Sequence, residues 1–276
     1  MTLLTSRDNP LIKTIISLKT KKGRRKHQLF LAEGPHLLEE ALASTFEVRG
    51  VFTNGEILCC GALWEYVEKK RIPVYHVSPR LYAELTETEN PQDVLGLIAQ
   101  PKEQTVFPEI EQGFMGLILD QIQDPGNLGT IIRTSWAAGL RNIFITPGTV
   151  DPYSGKVVRS TQGGIFNLQI YPSSLEKILS WAASKGVKVW AADPRGVKLY
   201  YQQDFTGPTL FLLGNEARGC NLSNIDQQLV EGLGIPLPGG AESLNVSISA
   251  GILIYETLRQ RLLQGTLEGE ASGAKR

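Results

Sequence analysis

The chain alternates between short apolar runs and amphipathic segments along most of its length. In residues 27–100, runs such as QLFLAEG and EVRGVFTN predict strands, and segments such as PHLLEEALAS and PRLYAELTE predict helices. This alternation predicts a small α/β/α sandwich. The next stretch, PKEQTVFPEIEQG, is polar, contains two prolines and lacks periodicity, so we expect residues 101–113 to form a linker.

A second alternating region covers residues 114–265. Its apolar runs, among them GLILDQI, NIFITPG and TLFLLG, predict a parallel sheet flanked by helices. One helix is predicted to start at an N-cap Asn127, and the last helix is predicted from about Ser243 to Leu263. A short helical piece is predicted near Leu222. The tail, residues 266–276, consists of small and polar residues, which predicts a flexible end.

Charge is balanced over the whole chain but not at its start. The 276 residues include 28 basic and 28 acidic ones, so the net charge does not attract polyanions. In the first 28 residues, however, eight basic residues face one acidic residue, Asp8, and six of them lie in KTKKGRRK. We expect residues 1–26 to form a basic N-terminal arm. Such a run is either a solvated helix end or a footprint for phosphates.

Cysteine, histidine and hydropathy patterns narrow the class of protein. The three cysteines, two of them adjacent at Cys59 and Cys60, form neither a disulfide framework nor a metal-ligand set. All three histidines lie in the first predicted domain, so we expect no hydrolase triad or zinc-bound water in the second. No apolar run approaches the roughly 20 residues that span a bilayer, and the first residues lack a signal peptide's apolar segment. We therefore expect a cytoplasmic protein without membrane or metal partners.

Three loops that contain glycine follow apolar strands: DPGNLG, GNEARG and PLPGGAESLN. In a doubly wound sheet, ligands bind beyond the carboxyl ends of the strands, so we expect these loops to meet at one crevice. The sequence contains neither a P-loop nor GxGxxG, which argues against ordinary nucleotide-binding turns. The polar groups that these loops and their helices supply are the guanidinium of Arg133, the carboxylate of Glu216, the hydroxyl of Ser243 and the amide of Asn245. Such a set suits positioning a polar substrate beside a reactive cofactor.

Purely structural roles stay open for some of these residues. Glu216 and Ser243 could each stabilise the start of a helix, and Arg133 could be an ion-pair partner of Glu216. Asn245 lies among apolar residues near the start of the last helix, where its amide offers both donors and acceptors to a bound polar group.

The motifs DPGNLGTIIRT, LLGNEARG and IPLPGGAESLNVSISAGI resemble, in order and spacing, the three motifs of the SpoU (TrmH-like) RNA ribose 2′-O-methyltransferases of the SPOUT superfamily. The resemblance extends from residue 116 to about residue 261. The first domain is similar to the L30e-like substrate-binding domain that often precedes this catalytic domain. The resemblance implies a SPOUT-type parallel sheet with a deep C-terminal trefoil knot.

The same resemblance implies a cofactor, an assembly and a substrate. S-adenosylmethionine would lie among the knot loops, in contact with Leu213, Gly214, Ile235, Leu237 and Leu244. The family resemblance further implies a homodimer through the knotted domain, and ribosomal RNA as the expected substrate, with transfer RNA as an alternative. The residues expected to bind RNA are Lys19, Lys21, Lys22, Arg24, Arg25 and Lys26.

The resemblance also suggests roles for the polar loop residues. The family pattern places a functional arginine six residues after a functional asparagine, which implies a catalytic role for Asn127 and Arg133. Arg133 would bind the phosphate beside the target ribose and stabilise the developing alkoxide, because a guanidinium is a poor base. Glu216 would hold its loop or Arg133. Ser243 and Asn245 would orient the ribose and the cofactor.

Two other functions remain open. A ribosome-associated RNA-binding protein without activity would not need the intact set of polar loop residues. A SPOUT enzyme that methylates a base nitrogen would generally lack the NxxxxxR and SLN motifs. Outside these motifs, DPYSGKVVRSTQGGIF resembles a family segment that lines the approach to the site, where Lys156 and Arg159 either contact RNA or are solvated surface residues. Gly155 and Gln162 depart from the family pattern, so neither cation belongs to the predicted catalytic set.

Overall fold

The computed structural model describes residues 2–55, 61–220 and 225–265. The chain forms two compact units. Unit 1 comprises Met1–Lys102 and Asp151–Asn167, and unit 2 comprises Glu103–Val150 and Leu168–Arg276. The segment Asp151–Asn167 thus belongs to unit 1, although it lies within the range predicted for the second domain. The helical piece predicted near Leu222, the tail predicted to be flexible and the adjacent pair of cysteines lie outside the described residues.

Unit 1 contains a five-stranded mixed sheet with the order β1-β4-β3-β5-β2. The strands are β1 (Thr2–Leu4), β2 (Leu29–Glu33), β3 (Val48–Thr53), β4 (Val74–Val77) and β5 (Val94–Ala99). β1, β4 and β3 are parallel, whereas β5 is antiparallel to both of its neighbours. The helices, numbered along the whole chain, are α1 (Pro10–Ser17), α2 (Lys21–His27), α3 (Pro35–Ala43), α4 (Gly61–Lys69), α5 (Pro79–Leu85) and α7 (Gly155–Thr161).

Apolar clusters join helices to the sheet of unit 1 on two sides. One cluster includes Ile12 of α1, Leu81 of α5 and Phe52 of β3. The other includes Leu38 of α3 and Val67 of α4. The α/β/α sandwich predicted for this part of the chain is confirmed.

The start of the chain is part of this sandwich rather than the separate arm predicted for residues 1–26. β1 pairs in parallel with β4, and Ile12 and Ile15 of α1 are fully buried. The reason is the apolar face of PLIKTIIS, which the neighbouring charges obscure in the sequence. The cationic run follows directly as α2.

Arg24 in α2 is only 5% exposed. Its Nε and Nη2 both lie 2.7 Å from Oδ2 of Asp151, and its Nη1 donates to the Leu18 carbonyl at 2.8 Å. A buried guanidinium needs such partners, because an unpaired buried charge is costly. Arg24 therefore ties the segment Asp151–Asn167 to α2, and it is not free for the RNA contact predicted for it.

Unit 2 contains a seven-stranded sheet with the order β10-β12-β9-β11-β6-β7-β8. The strands are β6 (Met115–Leu119), β7 (Asn142–Ile145), β8 (Gln169–Pro172), β9 (Lys188–Ala192), β10 (Lys198–Leu199), β11 (Thr209–Leu213) and β12 (Glu231–Gly234). Each neighbouring pair is parallel. The helices are α6 (Pro125–Ala137), α8 (Leu175–Ser184) and α9 (Val246–Leu263). The predicted parallel sheet with flanking helices is confirmed.

The order of the strands in unit 2 forces one connection across another strand. β12 lies between β9 and β10, so residues 193–197, which connect β9 to β10, pass the carboxyl end of β12. Gly196 and Gly234 meet there, and a Cβ on Gly234 would lie 2.2 Å from the Gly196 carbonyl oxygen. Only residues without a side chain fit this crossing. It is compatible with the predicted trefoil knot, which stays a prediction.

Part of the segment predicted to be a linker packs onto unit 2. The ring of Phe107 lies 5.1 Å from Trp181 and 5.6 Å from Phe144, measured between ring centroids. Ile110 contacts the same apolar cluster. Single apolar residues hold the segment against unit 2, which is why its sequence shows no helical or strand periodicity. Residues 103–113 belong to unit 2.

Arg261 connects the end of α9 to two loops of unit 2. Its side chain is fully buried and donates to the carbonyls of Phe205, Gly113, Phe114 and Gly207. Burial holds the pKa of this guanidinium below its ordinary value. Within the described ranges, no helix combines the length and hydropathy needed to cross a membrane.

Candidate active site

Two of the three glycine-containing loops leave adjacent strands at their carboxyl ends. β6 and β11 pair in parallel, with Leu119 opposite Leu213. Residues 120–124 connect β6 to α6, and residues 214–219 follow β11. The third loop, residues 235–245, connects β12 to α9.

Hydrogen bonds between side chains join the three loops, as the sequence predicted. Asn127 Nδ2 donates to Oε1 of Glu216 at 3.0 Å, which links the first loop to the second. Asn245 Nδ2 donates to Oδ1 of Asn127 at 2.9 Å, which adds the third. The Asn245 Oδ1 accepts from both the main-chain N–H and the hydroxyl of Ser247. The resulting chain, Glu216–Asn127–Asn245, is the centre of the candidate site.

Glu216 accepts hydrogen bonds from the first loop in addition to the one from Asn127. The main-chain N–H groups of Gln123 and Asp124 each donate to its carboxylate at 3.3 Å. Partial burial of the carboxyl favours its neutral form, but these donors outweigh burial and lower its pKa from the ordinary value. Glu216 is therefore a charged acceptor that fastens one loop to another. This position also explains why an acid follows the apolar strand TLFLLG.

Two helix starts differ from the prediction. Asp124, not Asn127, is the N-cap of α6, since its Oδ1 accepts from the Asn127 N–H at 2.8 Å and Pro125 occupies the first helical position. Asn245, not Ser243, is the N-cap of α9. Ser243 is exposed on the loop before the helix. Because Asp124 forms the cap, the Asn127 side chain is left to bridge the loops.

Arg133 lies on the exposed surface of α6. No hydrogen bond or ion pair links its guanidinium to any other residue that the structure describes, so the alternative of an ion pair with Glu216 is wrong. The predicted orientation of Arg133 toward the three loops stays a prediction. An exposed, unpaired guanidinium is available to bind an anion.

Sequence reasoning missed a residue that shapes the second loop. Asn215 Nδ2 donates to the Gln121 carbonyl at 2.9 Å, and its Oδ1 accepts from the N–H groups of Ala217 and Arg218. Asparagine commonly caps turns in this way, so its place after Gly214 was an available signal. Asn215 fixes the loop that carries Glu216.

The residues predicted to contact a cofactor differ in accessibility. The side chain of Leu213 is 1% exposed, which leaves its main chain for any such contact. Gly214 is crowded, because a Cβ there would lie 2.2 Å from the main chain of Gly219 and Cys220. The remaining three, which are half-buried, are Ile235, Leu237 and Leu244.

The residues predicted to bind RNA lie in unit 1 and also fall into two groups. Lys19 is half-buried and donates to the Thr86 carbonyl at 2.8 Å, and Arg24 is buried as described above. The exposed members of α2 are Lys21, Lys22, Arg25 and Lys26.

Lys156 and Arg159, named above as alternatives for RNA contact, both lie in α7. Lys156 is exposed. Arg159 lies 3.6 Å from carboxylate oxygens of both Glu33 and Glu87, so its charge is already partnered within unit 1. Only Lys156 of this pair is left with an exposed charge of its own.

Comparison with known proteins identifies both parts of the chain. Residues 115–255 match the model of the SpoU rRNA Methylase family, and residues 9–96 match the MRM3-like substrate binding domain. The chain is 34% identical over 255 residues to the 23S rRNA (guanosine(2553)-2'-O)-methyltransferase RlmP of Bacillus subtilis, which covers 92% of this chain and 98% of that protein.

Two further similarities extend over nearly the whole chain. The 23S rRNA (uridine(2479)-2'-O)-methyltransferase of Streptomyces viridochromogenes is 29% identical over 267 residues, or 94% of this chain and 92% of that protein. The crystal structure of AdoMet-bound rRNA methyltransferase from Sinorhizobium meliloti has a TM-score of 0.82 and 32% identity, and covers 94% of this chain and 97% of that one. The chain belongs to the SpoU rRNA methylase family.

Proposed function

We propose that this protein transfers a methyl group from S-adenosylmethionine to a ribose 2′-hydroxyl of ribosomal RNA. The observation that carries the proposal is the hydrogen-bond chain Glu216–Asn127–Asn245, which joins three loops at the start of the helix that bears the exposed Arg133. The relatives reported above are named as 23S rRNA 2'-O-methyltransferases, which supports the same reaction and the same class of substrate.

Two features of the loops support the choice of cofactor. The crowding at Gly214 brings main-chain groups to the surface where a side chain would otherwise stand. Half-buried aliphatic side chains on the third loop offer the apolar surface that a planar ring needs. S-adenosylmethionine, when bound, supplies an activated methyl group. The residues proposed to hold it are Leu213 through its main chain, Gly214, Ile235, Leu237 and Leu244.

Arg133 provides the positively charged side chain that binds anionic groups of the RNA in the proposed reaction. A guanidinium stays protonated in proteins, so it binds and stabilises anions instead of accepting a proton. We assign Arg133 to the phosphate beside the target ribose, where it also stabilises the developing alkoxide. The hydroxyl proton passes to a phosphate oxygen or to water. Ser243 and Asn245 orient the ribose, and Asn127 and Glu216 hold the loops in place.

The exposed cations of α2 form the proposed RNA contact of unit 1. α2 carries no acidic residue, so its exposed face is uniformly positive. Phosphate contacts of this kind depend strongly on salt. The proposed set is Lys21, Lys22, Arg25 and Lys26, with Lys19 at its edge.

A homodimer through unit 2 is the proposed assembly. Ile248, Tyr255 and Leu262 of α9 are 54%, 49% and 49% exposed. They recur every seven residues, so they form one apolar stripe along the helix, which is the pattern of a helix that packs against another helix. Because the proposed substrate is ribosomal RNA, we propose the cytoplasm as the location.

The proposal is tested by incubating the purified protein with methyl-labelled S-adenosylmethionine and total RNA from cells that lack it. We expect label in ribosomal RNA, a 2′-O-methyl nucleoside after nuclease digestion, and one stop in primer extension at low dNTP. Label in transfer RNA would select the alternative substrate. Label on a base nitrogen, or RNA binding without any cofactor binding or transfer, would overturn the proposed reaction.

A further inference from the structure

A buried acidic residue lies below the three loops of unit 2. Asp120 follows β6 directly and is 3% exposed. Its main-chain N–H donates to the Leu213 carbonyl at 2.8 Å, so it sits between the strands that carry the first two loops. Neither the proposed chemistry nor the proposed cofactor contacts use it. A carboxyl group is rarely buried in a protein interior unless another group forms a hydrogen bond or an ion pair with it.

Thr146, just after β7, is one partner of this carboxyl group. Its hydroxyl donates to Oδ1 of Asp120 at 2.6 Å and accepts from the Gln121 N–H at 3.1 Å. The direction is fixed at both ends, because a main-chain N–H can only donate and a carboxylate only accepts. Asp120 therefore orients the hydroxyl, and the hydroxyl holds the Gln121 amide.

Gln121 is held in an unusual conformation by these contacts. Its φ of 56° lies in the left-handed region, which residues other than glycine adopt at a cost. Its carbonyl accepts the bond from Asn215 Nδ2, and Asn215 in turn shapes the turn that carries Glu216. An unbroken series of contacts thus runs from Asp120 through Thr146, Gln121 and Asn215 to Glu216.

We propose that Asp120 and Thr146 are positioning residues for methyl transfer, which set the place of Glu216 and Asn127 through Gln121 and Asn215. The inference rests on the proposed function for its kinetic consequence, but the series of contacts exists without substrate. It predicts an effect on turnover rather than on cofactor affinity, because the series ends at Glu216 and Asn127, which are not among the residues proposed to hold the cofactor.

Thr149 provides a matched control. It is buried in the same turn, and its hydroxyl donates to the Leu119 carbonyl at 3.1 Å, away from the series. That carbonyl keeps a second donor, the Thr146 N–H at 3.1 Å. Thr149→Val therefore makes the same substitution and removes a buried hydroxyl bond in the same turn, without breaking the path to Glu216.

The experiment compares Thr146→Val, Thr146→Ser and Thr149→Val. We expect Thr146→Val to lower kcat at least about tenfold, since small misplacements of catalytic groups carry penalties of this size. KM for RNA and the Kd for S-adenosylmethionine should stay within about threefold, and Thr146→Ser should recover most of the loss. Equal kcat in Thr146→Val and Thr149→Val, or no recovery in Thr146→Ser, would overturn the assignment.

A second variant breaks the series at Asn215, which is half-buried instead of lying in the interior. Asn215→Asp places a carboxylate oxygen against the Gln121 carbonyl but keeps the acceptor for Ala217 and Arg218. It should lower kcat as Thr146→Val does, and normal turnover would count against the proposal. The side-chain amide signal of Asn127 in nuclear magnetic resonance is read without substrate. It should shift in both variants and not in Thr149→Val, so the positioning role is decided even if no methyl transfer is found.

Discussion

Asn127 Nδ2 donates to Oε1 of Glu216, and this contact fixes the donor and acceptor at each hydrogen bond between the three loops. A carboxylate can only accept, so the Asn127 amide must point its nitrogen toward Glu216 and its oxygen toward Asn245. Exchanging one nitrogen or oxygen atom in either side chain therefore turns this attraction into a repulsion, while the shape of the side chain stays the same.

Asn127→Asp should bring two carboxylates together and lower kcat about 100-fold, because the loops separate from their working positions. The double variant Asn127→Asp with Glu216→Gln restores a donor opposite an acceptor, so we expect recovery to within about tenfold of the original kcat. Single-turnover methylation measures both. If the double variant is no better than the single one, the two residues do not act through this bond.

Arg133→Lys should abolish most turnover and leave the Kd for S-adenosylmethionine within about twofold. Lysine keeps the charge but lacks the planar fork that binds phosphate through two parallel bonds. The measurements are methylation rate and calorimetric cofactor binding. A rate equal to that of the unaltered protein would contradict the proposed role.

Neutralising the exposed face of α2 should weaken RNA binding and reduce its salt dependence. Each lost phosphate contact lowers the slope of log affinity against log salt by about 0.7–0.9, so the loss of four lowers it by about 3. The variant changes to glutamine the residues Lys21, Lys22, Arg25 and Lys26. The control removes the same charge from exposed residues elsewhere, namely Lys69, Arg80, Lys102 and Lys177. Filter binding at several salt concentrations measures the slopes. Equal slopes in the α2 variant and the control variant would mean that α2 is a solvated surface without a role in RNA binding.

Arg24→Met should destabilise the protein by about 3–5 kcal/mol, because it leaves the Asp151 carboxylate without its partner in a buried setting. Lys185→Met is the control, since the pair of Lys185 with Glu109 is exposed and its loss costs less than about 1 kcal/mol. Urea unfolding followed by circular dichroism measures both. Similar losses in the two variants would mean that burial adds nothing to the Arg24 pair.

Cys220 should react slowly with iodoacetamide in the folded protein. Burial, with smaller contributions from the charges of Asp120 and Asp193, raises the pKa of its thiol to about 12. The reactive thiolate is therefore scarce at neutral pH and forms as pH approaches that value. Peptide mass spectrometry after alkylation isolates this cysteine from the others. Fast labelling at pH 7 without denaturant would contradict the burial of the thiol.

Much of the fold and of the candidate site could be predicted from the sequence. Apolar runs of strand length define the sheet of unit 2, and a glycine-rich loop after such a run marks a site because parallel strands share an edge. That logic predicts that the loops of Glu216 and Asn245 lie close together, and the family motif adds Asn127 between them. It works because it depends only on periodicity and chain order.

The errors have two origins: a local signal that was not used, and partners that lie far apart in the sequence. Asp124 and Asn127 are both good helix caps, and Pro125 at the first helical position decides between them. One cation of KTKKGRRK turns inward because its partner Asp151 lies 127 positions away. Local sequence carries no trace of such a pairing, and the same holds for the contact between Asp120 and Thr146.

Arg261 has a consequence for how the protein is made. Its four carbonyl acceptors lie in segments that precede it by 54 to 148 positions, so those groups lack this donor until the end of α9 has been synthesised. Unit 1 likewise needs Asp151–Asn167, which emerges after the first residues of unit 2. In each unit, some buried contacts therefore form only after a later segment of the chain has been synthesised.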